Sequence, residues 1–153
     1  MRKVYLFLDF DGVMVTKFSS FSEFHEGMEF DDKCINTLNQ LIKIIRNKYS
    51  FSLVISSNWK YELTKSEIKH MLIEIYNIDI SENDIHFTKN TGNKYNEINS
   101  FIDNLDSKCL VIILEDDPLP RNLNYFQIRT RSEDGIRATD DILNAVDELI
   151  KKQ

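Results

Sequence analysis

Glycine and proline are scarce in this chain, with 4 and 2 among 153 residues, so long flexible linkers and low-complexity segments are excluded. Cysteine is nearly absent too. Cys34 and Cys109 stand far apart and form no CxxC pair, which reads as two reduced thiols and a cytoplasmic protein. Histidine is limited to His25, His70 and His86, none with a second histidine or a cysteine at zinc-ligand spacing. Positive charge is in deficit: 19 Lys and Arg face 25 Asp and Glu, a net charge of −6. That argues against a general nucleic-acid-binding surface, though not against local contact with a nucleic-acid end. Met1-Arg2-Lys3 and the apolar run behind them superficially resemble a signal peptide, but Asp9 and Asp11 cut the run short. No stretch is long enough to span a membrane, so no membrane partner is expected.

What the chain has in quantity is alternating order. Its 42% hydrophobic and 29% charged residues are ordinary for a globular protein, and a single domain over residues 1–153 is expected. Val4-Tyr5-Leu6-Phe7-Leu8 is a continuous apolar run, as in a buried parallel strand, and it ends in Asp9-Phe10-Asp11-Gly12-Val13. Residues 13–30 hold Phe18, Phe21, Phe24, Met28 and Phe30, read either as a loop packing its aromatics onto the sheet or as a flap bordering the acidic pair. Asp31 or Asp32 can cap a helix with Ile35, Leu38, Leu41, Ile42 and Ile45 on its apolar stripe. Phe51 to Ile55 reads as a strand ending in Ser56-Ser57-Asn58-Trp59, followed by a capping box at Thr64 and Glu67 and a helix burying Ile68, Met71, Leu72 and Ile75. Asp84 to Phe87 is a short strand, and a helix opening at Lys94 shows Ile98, Phe101, Ile102 and Leu105. Leu110 to Leu114 is the second fully apolar strand, ending in Glu115-Asp116-Asp117. A last strand is expected over Tyr125–Ile128, and a final helix from Thr139 burying Ile142, Ala145, Val146, Leu149 and Ile150. Strands alternating with amphipathic helices predict a parallel sheet covered on both faces.

Three predicted strand ends carry chemistry: Asp9 with Asp11, Ser56 with Ser57, and Glu115 with Asp116 and Asp117. In a parallel sheet they converge on one edge, where open α/β sheets bind ligands. Two carboxylates 4 Å apart repel by about 4 kcal/mol at an effective dielectric near 20, so a cation or a shared proton is expected. Oxygen-only ligands rich in carboxylate favour Mg²⁺. A Mg²⁺ ion beside a lysine and a hydroxyl suits a phosphoryl group. Lys94 is the candidate ammonium; its helix start is expected at the opposite edge, so a loop would have to bring it back.

Leu6-Phe7-Leu8-Asp9-Phe10-Asp11-Gly12-Val13 resembles the first motif of the haloacid dehalogenase (HAD) superfamily, DxDGV after a hydrophobic strand. Ile55-Ser56-Ser57-Asn58-Trp59 resembles its second motif and Leu114-Glu115-Asp116 its fourth, in the family's order and intervals. The resemblance implies a three-layer α/β/α Rossmann-like fold with a central parallel sheet, and a Mg²⁺-dependent phosphatase using an aspartyl-phosphate. It assigns Asp9 as nucleophile and metal ligand, and Asp11 as general acid/base giving its backbone carbonyl to the metal. Ser56 would hold the phosphoryl group, with Ser57 one residue away as the alternative. Lys94 would neutralise phosphate and nucleophile, with Lys89 as its rival, and Asp116 would complete the metal site. Glu115 stands where family members more often have aspartate, and Asp117 could reach the metal through water. No insertion large enough for a cap domain is visible. A capless site is open, which implies a large substrate such as a phosphorylated nucleic-acid end, a nucleotide or a protein. Ser56 to Lys60 also resembles the second motif of small HAD domains associated with RNA repair proteins.

Other readings stand beside this one. A non-catalytic HAD-like module binding phosphorylated ligands, or a phosphatase of small sugar or metabolite phosphates, would share the motifs. A receiver-type signalling domain would instead place its phosphoacceptor on the third strand. Trp59 beside Lys60 reads as a core-edge residue or a base-stacking platform, and Arg129, Arg131 and Arg137 as solvated charges or phosphate grips.

Overall fold

Strand β1 (Lys3–Leu8) lies at the centre of the sheet because its run is apolar on both pleat faces, and from Leu6 to Leu8 it is fully buried. The computed structural model describes residues 1–153. Beside β1 run β2 (Ser50–Ile55) and β4 (Leu110–Glu115), with β3 (Ile85–Phe87) and β5 (Gln127–Arg129) at the edges. The order is β3-β2-β1-β4-β5 and every pairing is parallel. β5 is displaced from the expected Tyr125–Ile128, because a short helix α4 (Arg121–Asn124) occupies the preceding residues and takes Tyr125 as its cap.

Alternate residues of each strand face opposite layers. Val4, Leu6 and Leu8 pack into a core with Leu38, Leu41 and Ile42 of helix α1 (Asp32–Arg46) and Val146 and Leu149 of helix α5 (Thr139–Lys152). Asp31 caps α1, accepting from the Lys33 amide at 2.9 Å. Helix α2 (Lys65–His70) adds Ile68 to the same core, starts on the expected capping box, and runs into a single π-helical turn over Met71–Ile75. On the opposite face Phe7, Val54 and Ile113 pack against Ile98 of helix α3 (Lys94–Asp103) and Leu123 of α4. The result is the three-layer α/β/α arrangement that the alternating pattern predicted.

The crossover geometry positions the site. The chain moves outward from β1 to β2 and β3, then returns across the sheet through α3 to β4. β1 and β4 therefore flank the switch point, where connections leave toward opposite faces and a crevice opens at the carboxyl edge. Strand ends are level there, since Leu8 pairs with both Ile55 and Leu114. The ladder even continues one residue on: Ser56 N donates to Leu8 O at 3.1 Å, and Asp9 N to Leu114 O at 3.3 Å.

Between β1 and α1 the chain makes one tight turn, with the amides of Val13, Met14 and Val15 donating to the Phe10 carbonyl. A small hairpin follows, bridged between Phe21 and Met28. Both readings of its aromatics hold in part. Phe30 is buried against Phe10 and stacks on Tyr76, whereas Phe18, Phe21 and Phe24 face solvent. No cap domain covers the strand ends.

Candidate active site

Level strand ends place the carboxyl groups of Asp9, Glu115 and Asp116 so that one ligand oxygen from each lies within 4.8 Å of the others. Asp9 and Glu115 are buried and Asp116 is half-exposed. The Nζ of Lys94 enters this group, 3.3 Å from Asp9 Oδ1 and 3.2 Å from Glu115 Oε2. No special loop is needed to bring Lys94 there, contrary to expectation. A helix that follows a parallel strand starts at that strand's carboxyl edge, and α3 leaves β3 in this way. Lys89, the rival lysine, instead lines a pocket beside Phe101 and Asn104.

Crowded charge in a dry place moves the titrations. Burial, reinforced by the Asp9 charge and a hydrogen bond with Asp116, pushes Glu115 up to about 9. Burial also raises Asp9, against the pull of Lys94. For Asp116 burial is outweighed by hydrogen bonds with Glu115 and Ser132, and its carboxyl is lowered. Burial would lower Lys94 as well, but Asp9 and Glu115 overcome it and hold the ammonium charged above its usual range.

Asp11 stands apart from this cluster. Its carboxylate is exposed, and Oδ2 accepts from the Trp59 indole Nε1 at 3.1 Å. Trp59 is itself held edge-on by Phe10 at 5.1 Å between centroids. It is thus the core-edge residue of the first reading and a partner of Asp11 as well. Beyond Asp11 a pocket of about 310 Å³ opens between Trp59 and the hairpin residues Glu26, Gly27 and Met28.

The two serines differ in engagement. Ser57 Oγ caps the turn after β2 by accepting from the Trp59 amide at 3.2 Å, while Ser56 Oγ is buried with no hydrogen-bond partner. An orphaned buried hydroxyl at a strand's carboxyl end is the sort of group a ligand completes.

Residues 5–140 match a protein family described as the HAD domain in Swiss Army Knife RNA repair proteins. The chain belongs to this family. No curated protein and no solved structure matched it. Membership places this HAD domain in a hydrolase superfamily.

Several contacts around the HAD site were not legible in the sequence, including that of Arg129, read there only as a solvated charge or a phosphate grip. Ser132 donates to Asp116 Oδ2 at 2.8 Å, Arg129 Nε to the Asp116 carbonyl at 3.0 Å, and Thr130 Oγ1 to the Gly12 carbonyl at 2.6 Å. All three lie in or just after β5, whose neighbour across the sheet is found only by folding. Asp117 remains exposed at the rim, its amide donating to Glu115 Oε1 at 3.3 Å. Arg137 pairs with Asp31, at 2.5 Å, and so serves the start of α1. No helix is long and apolar enough to cross a membrane.

Proposed function

We propose that this HAD domain is a Mg²⁺-dependent phosphomonoesterase that forms an aspartyl-phosphate on Asp9. The observation that carries the reading is the position of Asp9, buried beside the Lys94 ammonium at 3.3 Å and within reach of two further carboxyl groups. The donor set fits the ion. All three acids offer hard oxygens, no thiol or imidazole joins them, and one lysine leaves the cluster in excess of negative charge. Asp9 and Asp116, with Glu115 beside them, would hold Mg²⁺, whose charge neutralises phosphoryl oxygens.

The chain's own groups supply the rest. Ser56 Oγ, free of any protein partner, donates to one phosphoryl oxygen, and Lys94 neutralises another. An Asp9 oxygen attacks phosphorus in line, forming the Asp9 O–P bond as the ester P–O bond breaks. Asp11, on the open side under Trp59, gives its proton to the departing alkoxide. Water then attacks phosphorus, Asp11 recovers a proton from it, and inorganic phosphate leaves Asp9 free.

A short hairpin in place of a cap leaves the mouth open, so the substrate class we propose is large: a phosphorylated nucleic-acid end. The family's association with RNA repair supports this, and the net charge of −6 confines contact to the terminal phosphate and its neighbours. Phosphate release is to be measured from an aryl phosphate, mononucleotides, 5′- and 3′-phosphorylated oligonucleotides, sugar phosphates and phosphopeptides. Turnover with Mg²⁺ that stops on chelation is expected, highest on the oligonucleotides. Turnover that survives chelation refutes the mechanism, and silence across the whole panel makes the domain a binding module.

A further inference from the structure

The mechanism leaves one buried ion pair without a task. The Lys60 and Glu97 side chains are 3% and 0% exposed, with Nζ 2.7 Å from Oε1. Glu97 also accepts from the Tyr61 hydroxyl at 2.8 Å, the Thr91 amide at 2.5 Å, the Gly92 amide at 3.1 Å and Thr91 Oγ1 at 3.1 Å. Asn90 Nδ2 adds a bond to the Lys60 carbonyl at 3.1 Å. The Glu97 contacts join the turn Asn58–Tyr61 and the stretch 90–92 to the first turn of α3, and the Asn90 bond ties those two segments to each other.

Taking two charges out of water is expensive, and an apolar pair of similar shape would hold the segments together at least as firmly. An apolar pair could not supply direction. A carboxylate accepting from several donors fixes its neighbours within the narrow tolerance of charge-assisted hydrogen bonds. The segments so fixed matter to the site. The turn Asn58–Tyr61 directly follows Ser56 and Ser57, and the stretch 90–92 leads into Lys94. Lys94 and Glu97 share one helical turn, so a rotation of the helix start that frees one displaces the other.

We infer that Glu97, with Lys60 as its counterion, is a positioning residue that sets the start of α3 so that Lys94 reaches Asp9 and Glu115. Its effect on turnover rests on the phosphatase reading above; its effect on where Lys94 sits does not.

The test uses the whole chain and two double variants that leave no buried ion unpaired. Lys60→Met/Glu97→Ala removes the acceptor, and Lys60→Met/Glu97→Gln keeps an oxygen for the Thr91 and Gly92 amides. Circular dichroism establishes folding at the assay temperature. Lysine acylation by a small reagent, read by peptide mass spectrometry, reports Lys94 against the exposed control Lys48. The alanine variant should label at Lys94 about tenfold faster, with Lys48 unchanged, as expected of a local opening. It should also bind orthophosphate more weakly and lose about 10²-fold in kcat, the scale set by an ångström of misplacement, while the glutamine variant recovers most of both. Should the alanine variant unfold, Tyr61→Phe, at a half-exposed position, removes one donor and should raise Lys94 labelling in the same direction. Unchanged Lys94 labelling in the folded variants overturns the inference, as does a loss of kcat that is equal in both and follows only the unfolded fraction. A wild-type protein that neither binds orthophosphate nor hydrolyses any ester defeats the phosphatase reading instead, and labelling alone then decides this one.

Discussion

Trp59 and Asp11, 48 positions apart, meet through an indole N–H to carboxylate bond of 3.1 Å. The bond aims Asp11 away from the Asp9, Glu115 and Asp116 cluster, toward the open mouth where a leaving group would stand. Trp59→Phe keeps the packing on Phe10 and removes the donor. The bond orients Asp11, and an ordinary hydrogen bond is worth about 1 kcal/mol, so kcat should fall roughly fivefold with KM near wild type. Steady-state kinetics decide it; an unchanged kcat separates Trp59 from the chemistry.

Asp9 and Asp11 have unequal parts in the proposed reaction, and their amides should differ accordingly. Asp9→Asn should abolish turnover, because an amide oxygen does not form the phosphoryl ester. Asp11→Asn should slow turnover by about 10²–10⁴, the usual contribution of general acid/base catalysis. Quenched-flow trapping adds a sign: phosphoprotein should be absent in the first variant. Equal rates in Asp9→Asn and wild type would remove Asp9 as nucleophile.

Gly12 sits in the left-handed region at φ +77°, and a Cβ there would run into the Asp116 carboxylate. Gly12→Ala should therefore cost about 1–3 kcal/mol through backbone strain and also displace an acid of the proposed metal site. Denaturant melts and a Mg²⁺ titration followed by calorimetry check the two effects together. Wild-type stability with wild-type Mg²⁺ affinity would contradict the prediction.

The buried Glu97 makes stability depend on acid. Burial alone would raise its carboxyl, but hydrogen bonds from Lys60, Tyr61 and Thr91 prevail and hold it at about 2, below the ordinary 4.5. A depressed native value means the unfolded chain binds the proton first as pH falls. The contribution is thus complete above pH 4.5 and lost as pH drops toward 2. Tm measured across that interval should fall more steeply for wild type than for Glu97→Gln. Parallel profiles would show that the carboxylate is not held in this way.

Much of the site was written in local pattern. The apolar runs ending in Asp9 and Glu115 declared themselves as buried strands because both faces of a central parallel strand must be apolar. The capping box at Thr64 and Glu67 marked a helix start for an equally local reason. The start of β5 was missed by two residues, since Tyr125 caps the short helix α4 and its hydroxyl donates to the Lys152 carbonyl at the far end of the chain. That Ser57 Oγ caps the next turn while Ser56 Oγ is left without a partner was likewise invisible, because it depends on how the chain turns after β2.

By itself the sequence determined the order of strands and helices and the acidic, hydroxyl and amine groups at their ends, since these follow from periodicity and from charges that interrupt apolar runs. Tertiary structure decided which of those groups meet. Level parallel strands put Asp9 against Glu115 and Asp116, and the return of the chain through α3 carried Lys94 to them. It also decided that Trp59 would hold Asp11 and that Lys60 and Glu97 would be buried together. Contacts of that kind join residues dozens of positions apart, and no local pattern encodes a distance the chain closes only by folding.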